Sequence, residues 1–319
     1  MKPETKQETA IVGGRQIIFE TGKLAGQAGG AVTVRLGDSL VFGAATRGTT
    51  PREGQEFFPL SVDYAERMYA GGRIAGSFFR REGRPGTEAI LVSRLTDRPL
   101  RPLFNQDMRN EVQVIIYSFS ADLENPLDIL AINAASAALS ISEIPWDGPV
   151  GAVRIARING ELIANPSFQQ MEESDLDLRI AGTSDAILMV ECGSDEIPED
   201  VMVEALSFGH ASLQPLVEAQ KRLAAAAGKP KAVVPLFSLD KALIDQVSSR
   251  ASAEIEKHFD ASQTRSDLSS AIDALKEQVV AEMAGEDESQ KGPIKEAFHE
   301  VYKRIVRDRI LNRSERPDH

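Results

Sequence analysis

Glycine is spread so unevenly along this chain of 319 residues that a single architecture cannot account for it: 22 of its 24 glycines precede Lys229, and only Gly285 and Gly292 follow. Glycine supplies tight turns and close backbone approach, and it costs about 1 kcal/mol in a helix interior. The two parts must therefore be built differently. Before Gly228-Lys229-Pro230, short β-prone runs follow one another at 16–19, 31–35, 39–45, 57–63, 112–120, 150–158, 176–180 and 187–191. Arg157-Ile158-Asn159-Gly160-Glu161-Leu162 places an Asn-Gly pair between two alternating segments, the strongest short-range signal for a two-residue hairpin. Helical patterns at 88–98, 128–142 and 199–227 are interleaved with these strands.

After the break the apolar period lengthens from two to nearly four. Leu239, Leu243, Val247, Ala251, Ile255 and Phe259 predict one amphipathic helix; Leu268, Ile272, Leu275, Val279 and Met283 a second; Ile294, Phe298, Val301, Tyr302 and Ile305 a third. This order of elements predicts an α+β chain, a mixed sheet-and-helix core with substantial antiparallel pairing, followed by a small all-α bundle.

The single cysteine, Cys192, excludes a disulfide framework and a Cys-rich zinc site, and His210, His258, His299 and His319 lack metal-ligand spacing. We expect no metal ligated by this chain. Cys192 follows an apolar strand and reads as a packed thiol, and Trp146 after Pro145 as a surface-turn plug. The first residues hold no apolar signal segment, and the longest apolar runs, such as Ala186-Ile187-Leu188-Met189-Val190, are far too short to span a bilayer. A cytoplasmic protein with no membrane partner is the expectation. The formal charge of −12 hides one exception: from Arg67 to Arg109 there are nine arginines and no lysines against four acids, a local +5. An acidic body repels polyanions, so this arginine segment is the one place a nucleic acid can settle.

Gly71-Gly72-Arg73-Ile74-Ala75-Gly76-Ser77 approaches a phosphate-cradling loop but lacks its lysine, which excludes an ATP site of that kind. Phe78-Phe79-Arg80-Arg81 follows, two aromatics abutting two guanidinium groups in a Gly- and Pro-rich stretch. It reads either as a loop anchor tucked into the core or as a grip on single-stranded nucleic acid, in which bases stack on the rings and arginines meet phosphate. In the helix over 88–98, Ile90, Leu91 and Leu95 predict the buried stripe, Arg94 and Arg98 share another face, and Pro99 ends the helix so that Arg101 leaves with the exiting chain. Arginine near a helix C-terminus complements the dipole; this many unpaired guanidinium groups suit an anion site instead.

Phe57-Phe58-Pro59-Leu60-Ser61-Val62-Asp63-Tyr64, Gly76-Ser77-Phe78-Phe79-Arg80-Arg81-Glu82-Gly83-Arg84-Pro85 and Arg94-Leu95-Thr96-Asp97-Arg98-Pro99-Leu100-Arg101-Pro102-Leu103-Phe104 strongly resemble the first half of the polynucleotide phosphorylases, and the resemblance covers essentially the whole chain. It implies a ribonuclease-PH-like core, of the kind seen in ribosomal protein S5 domain 2, over 1–213, an all-α linking domain over 214–312, and the start of a linker to a second core over 313–319. It implies 3′-to-5′ phosphorolysis of single-stranded RNA, with inorganic phosphate as co-substrate and nucleoside diphosphates as products. The protein would be a homotrimeric ring, in contact with other RNA-degradation proteins. Phe78 to Arg81 would form the pore constriction, and Arg94, Arg98 and Arg101 the cleft between cores.

The family's catalytic residues do not carry over to this half. Pro126-Leu127-Asp128 stands where the active core has a serine-rich turn, and a carboxylate at that helix N-cap would occupy amides a phosphate needs. Of two aspartates six positions apart, Asp177 matches the second, whereas the first position is Met171, whose thioether does not bind Mg²⁺. Asp128 and Asp177 thus mark a vestigial site. Mg²⁺ is expected in the second core, and no cofactor is bound firmly here. The remaining alternatives are a stand-alone, non-catalytic RNA-binding and assembly module, or an active ribonuclease-PH-like exonuclease with Arg98 as phosphate ligand.

Overall fold

The computed structural model describes residues 4–51, 57–76, 82–262, 264–285 and 287–317. Phe78, Phe79, Arg80 and Arg81 lie outside the described residues. Two compact units divide between Leu236 and Phe237.

In the first unit, β1 (Lys6–Val12), β2 (Arg15–Thr21), β3 (Gly30–Leu36), β4 (Ser39–Pro51), β5 (Leu60–Ala65) and β6 (Asn110–Ser120) form one sheet in the order β1-β2-β3-β4-β6-β5, antiparallel except where β5 joins β6. A second, antiparallel sheet of β7 (Gly151–Ile158), β8 (Glu161–Ala164), β9 (Leu176–Gly182) and β10 (Ile187–Ser194) runs β10-β9-β7-β8. Asn159 and Gly160 both adopt positive φ (52° and 86°) between β7 and β8, as a tight two-residue hairpin requires.

The helices are α1 (Thr87–Leu100), α2 (Leu127–Ile141), the short α3 (Phe168–Glu172) and α4 (Glu199–Ala227). α2 is buried at every position from Ile129 to Leu139, because it packs on β3 and β4 of one sheet, on β7 of the other, and on α4. A helix apolar all round is stable only when so enclosed. Its alanines allow close approach: a Cβ on Gly43 of β4 would lie 2.9 Å from the backbone of Ala134. The two polar residues of this buried stretch, Asn133 and Ser136, are paired. Asn133 donates to the carbonyls of Ile129 and Ala152 (both 2.9 Å), Ser136 donates to Gln220 Oε1 (2.6 Å) and accepts from Val150 N–H (2.8 Å), and Gln220 donates to the Val150 carbonyl (2.9 Å). An unmatched polar group here would cost about 1–3 kcal/mol, so these contacts fix α2 and α4 against the start of β7.

Several expectations are corrected. α1 continues through Pro99 to Leu100: the buried ring forgoes its own bond to the preceding turn, but the Arg101 N–H still donates to the Asp97 carbonyl. Its buried face is Ala89, Leu95, Thr96, Pro99 and Leu100, leaving Ile90 and Leu91 about half exposed. Trp146 is buried against Phe104 and donates its indole N–H to the Leu100 carbonyl (3.0 Å). Cys192 is exposed on the edge strand β10. A boundary at 213/214 would cut the continuous α4, and the compact units divide further on.

The second unit holds α5 (Lys241–Ala261), α6 (Arg265–Ala284) and α7 (Glu288–Asp308). Asp240 caps α5 and Thr264 caps α6, each accepting a first-turn N–H. Val247, Ala251, Ile255, Leu268, Ile272, Leu275, Val279, Ile294, Phe298 and Val301, all among the positions spaced near four, form its core. Beyond α7, a π-helical turn (Arg309–Arg313) places the Arg309 guanidinium 4.8 Å from the Phe259 ring centroid, ion-paired to Glu256, Asp260 and Glu315. No helix among the described residues is long and apolar enough to cross a membrane.

Candidate nucleic-acid and anion site

The second sheet gathers a charged ladder on one face. Register sets Arg154 of β7 opposite Arg179 of β9, and Arg179 opposite Glu191 of β10. Asp177 shares the face of Arg179, two residues away, because Leu176 and Leu178 point into the core. Two arginines directly across a sheet repel; carboxylates on both sides of them remove the conflict. Arg154 grips Asp177 with two hydrogen bonds (2.7 and 2.6 Å), while Arg179 donates to Asp177 (3.2 Å) and, through Nε, to Asp128 (2.8 Å). Glu191 then links Arg179 (3.6 Å) to Arg98 of α1 (3.1 Å). Burial alone would lower the Arg154 pKa, but the Asp177 hydrogen bonds and the charges of Asp128 and Asp177 outweigh it and hold the guanidinium above its ordinary value.

Asp128 is not the N-cap of α2, which is Pro126; it lies in the first turn, where Oδ1 accepts the Ile129 N–H (2.8 Å) and Oδ2 takes Arg179. Of the three α1-region arginines expected to form a free cluster, two are paired. Arg98 meets Glu191, and Arg101 grips Asp97 (2.8 and 2.6 Å) and reaches the Leu60 carbonyl (3.2 Å). Arg94 is exposed with no ion pair among the described residues, and it lines a separate cleft of about 500 Å³ with Ile90, Arg67 and Tyr117, whose ring lies under the Arg67 guanidinium at 5.7 Å. The structure thus brings Arg98, Asp128 and Asp177 together and leaves Arg94 and Arg101 outside.

A Mg²⁺ ion does not fit at Asp177, because guanidinium groups take both its oxygens and its would-be companion is Met171. Arg154, Arg179 and Glu191 were not singled out from sequence. Their signal was a charged residue set between buried apolar neighbours, Val153-Arg154-Ile155 and Leu178-Arg179-Ile180, but only the strand register joins them.

Over this ladder opens a cleft of about 720 Å³, lined among others by Met68, Arg73, Leu123, Asp128, Arg154 and Phe168. Its wall, the loop before α2, is organised by Asp122, whose carboxylate accepts the N–H groups of Glu124 and Asn125 (both 2.9 Å) and the Asn125 side-chain amide (2.6 Å). Partial burial would raise the Asp122 pKa, yet these donors and Ser39 pull it down to about 2.

The sheet pair, the enclosed α2 and the helical unit define a class that comparison with known proteins identifies. Models of domains 1 and 2 of the 3′ exoribonuclease family match residues 13–145 and 148–212, and the chain belongs to that family. The model of the polyribonucleotide nucleotidyltransferase RNA-binding domain matches residues 242–318, so a ribonuclease-PH-like core is followed by that helical domain. The polyribonucleotide nucleotidyltransferase of Geobacillus kaustophilus is 44% identical over 320 residues, covering 100% of this chain and 44% of that protein. That of Acidobacterium capsulatum is 42% identical over 318 residues, covering 98% of this chain and 40% of that protein. The chain therefore spans only about two-fifths of the length of these curated relatives. The Archaeoglobus fulgidus exosome with RNA bound to the active site shares the fold at a TM-score of 0.50 and 17% identity, over 68% of this chain and 87% of that one.

Proposed function

We propose that this chain contributes RNA grip and ring assembly to a phosphorolytic 3′-to-5′ exoribonuclease that releases nucleoside diphosphates, and that its own phosphate site is vestigial. The observation that carries this reading is the closed ladder: Arg154 and Arg179 are satisfied by Asp128 and Asp177. In phosphorolysis an oxygen of inorganic phosphate attacks the terminal phosphodiester phosphorus, and the 3′-oxygen of the shortened RNA leaves. Donors must hold the attacking anion, and here intramolecular carboxylates compete for them at 2.6–2.8 Å. Mg²⁺ and the phosphate co-substrate belong, on this reading, to a second core of a longer trimeric protein, with RNA drawn past Phe78, Phe79, Arg80 and Arg81 and past Arg94, Arg98 and Arg101. Contact with other RNA-degradation proteins and a cytoplasmic location belong to the same proposal.

Incubating the chain with polyadenylate, inorganic phosphate and Mg²⁺ tests it: polyadenylate is bound, and no ADP forms. Clear ADP release by the chain alone would establish the active ribonuclease-PH-like reading instead.

A further inference from the structure

The three arginines along α1 and its exit differ in how far they are already committed. Arg101 is gripped by Asp97 through two hydrogen bonds (2.8 and 2.6 Å) and also meets the Leu60 carbonyl (3.2 Å), so an outside anion would have to break a bidentate pair to take it. Arg94, one turn before Arg98 on the same face, is exposed with no ion pair among the described residues. Arg98 stands between these extremes. Its Nη2 donates to Glu191 Oε2 (3.1 Å) and its Nη1 reaches the Val190 carbonyl only loosely (3.5 Å), while the arginine side chain stays 51% exposed and the glutamate 44%. Neither residue lines the cleft over the ladder.

Glu191 has a second guanidinium within reach. Its Oε1 lies 3.6 Å from Arg179 Nη1, and strand register sets the two residues opposite one another. A carboxylate between two guanidinium groups can release one without being stranded, because the other still compensates its charge. Arg179 in turn keeps Asp128 (2.8 Å) and Asp177 (3.2 Å) whatever Glu191 does. An ion pair as exposed as Arg98–Glu191 is weak, so a phosphate oxygen can compete for the arginine.

We propose that Glu191 is an internal competitor for Arg98: it occupies this guanidinium while no ligand is present and yields it to a backbone phosphate of single-stranded RNA, resting then on Arg179. Glu191 thereby makes the grip weaker and less salt-dependent than the arginines alone would make it. The inference rests on the RNA grip proposed above and names the carboxylate that tunes it.

Fluorescence anisotropy of labelled dodeca-adenylate, titrated with the whole chain over a series of salt concentrations, tests this role. Glu191→Gln keeps the shape of the side chain and removes its charge. It should bind about two- to fivefold tighter than wild type, which is the worth of an exposed pair. Its plot of log affinity against log salt should steepen by up to about 0.7, as for one more phosphate neutralised. In an Arg98→Ala background the same change should gain nothing. Glu161→Gln, an equal change of charge on β8 at the opposite edge of the sheet, should bind as wild type does. Wild-type affinity and slope in Glu191→Gln, or a gain that persists without Arg98 or is matched by Glu161→Gln, overturns the inference and leaves the grip standing. Failure of wild type to bind the oligonucleotide overturns the grip, and the inference with it.

Discussion

Replacing Asp128 by asparagine removes one charge from a set of three guanidinium groups (Arg98, Arg154, Arg179) and three carboxylates (Asp128, Asp177, Glu191) that is otherwise neutral. Asp128 is 12% exposed and Arg154 11%, whereas Arg179, its direct partner, keeps 22% exposure and some access to water. Stranding a buried charge costs about 3–5 kcal/mol; because Arg179 keeps Asp177 and Glu191 as partners and some access to water, about 3 is the upper limit here. For a unit of this size, about 3 kcal/mol lowers the melting temperature by roughly 6–12 °C. The same change frees Arg179 for an external anion. A unit-charge pair at about 4 Å near a protein surface attracts by about 4 kcal/mol before desolvation, and phosphate at about 100 times its dissociation constant would restore about 2.7 kcal/mol. The assay is a melting curve in phosphate and in chloride of equal ionic strength. Asp128→Asn should melt well below wild type in chloride and recover most of the difference in phosphate, with wild type nearly indifferent to the anion. A variant as stable as wild type in chloride, or curves that do not distinguish the anions, would refute the view of Asp128 as an internal substitute for phosphate.

The Asp122 carboxyl titrates at about 2 in the folded chain against an ordinary 3.8. A depressed carboxyl contributes stability that is complete above its unfolded value and is lost as pH falls through its folded one. Acid unfolding followed by Trp146 fluorescence should therefore show a loss between about pH 4 and pH 2 that Asp122→Ala flattens; parallel curves would contradict the hydrogen-bond account. Changing Arg80 and Arg81 together to alanine should weaken RNA binding with little sequence preference and reduce the salt slope by about 0.7 for each phosphate of a single strand that is no longer neutralised. An unchanged slope would show that these arginines do not touch phosphates.

What could be read from sequence was whatever a local period or turn residue encodes. Asn159-Gly160 fixed its hairpin, and the near-four spacing from Leu239 to Ile305 located all three helices of the second unit. β1 escaped notice because Lys6-Gln7-Glu8-Thr9 offers no apolar alternation; only Ala10 and Val12 of that strand are buried, and pairing with β2 makes it a strand. Pro99 misled because its ring forfeits only its own bond to the preceding turn, while the Arg101 N–H still reaches the Asp97 carbonyl. At the site, Asp128 and Asp177 were legible as departures from a family pattern. The guanidinium groups that neutralise them were not, because Arg154 and Arg179 are 25 positions apart in the chain and adjacent only through strand register. A free cluster at Arg94, Arg98 and Arg101 was overestimated for a related reason: Asp97 is a local partner, one turn before Arg101, but Glu191 comes from a distant strand.

The enclosure of α2 has a mechanical consequence. Because this helix is the shared axle of both sheets and of α4, neither sheet can swing away without uncovering a mostly Ile, Leu and Ala rod and cutting Asn133 or Ser136 off from its partners. That penalty disfavours small partial openings of the first unit. A platform braced in this way holds the loops at the ends of its strands in fixed positions relative to one another.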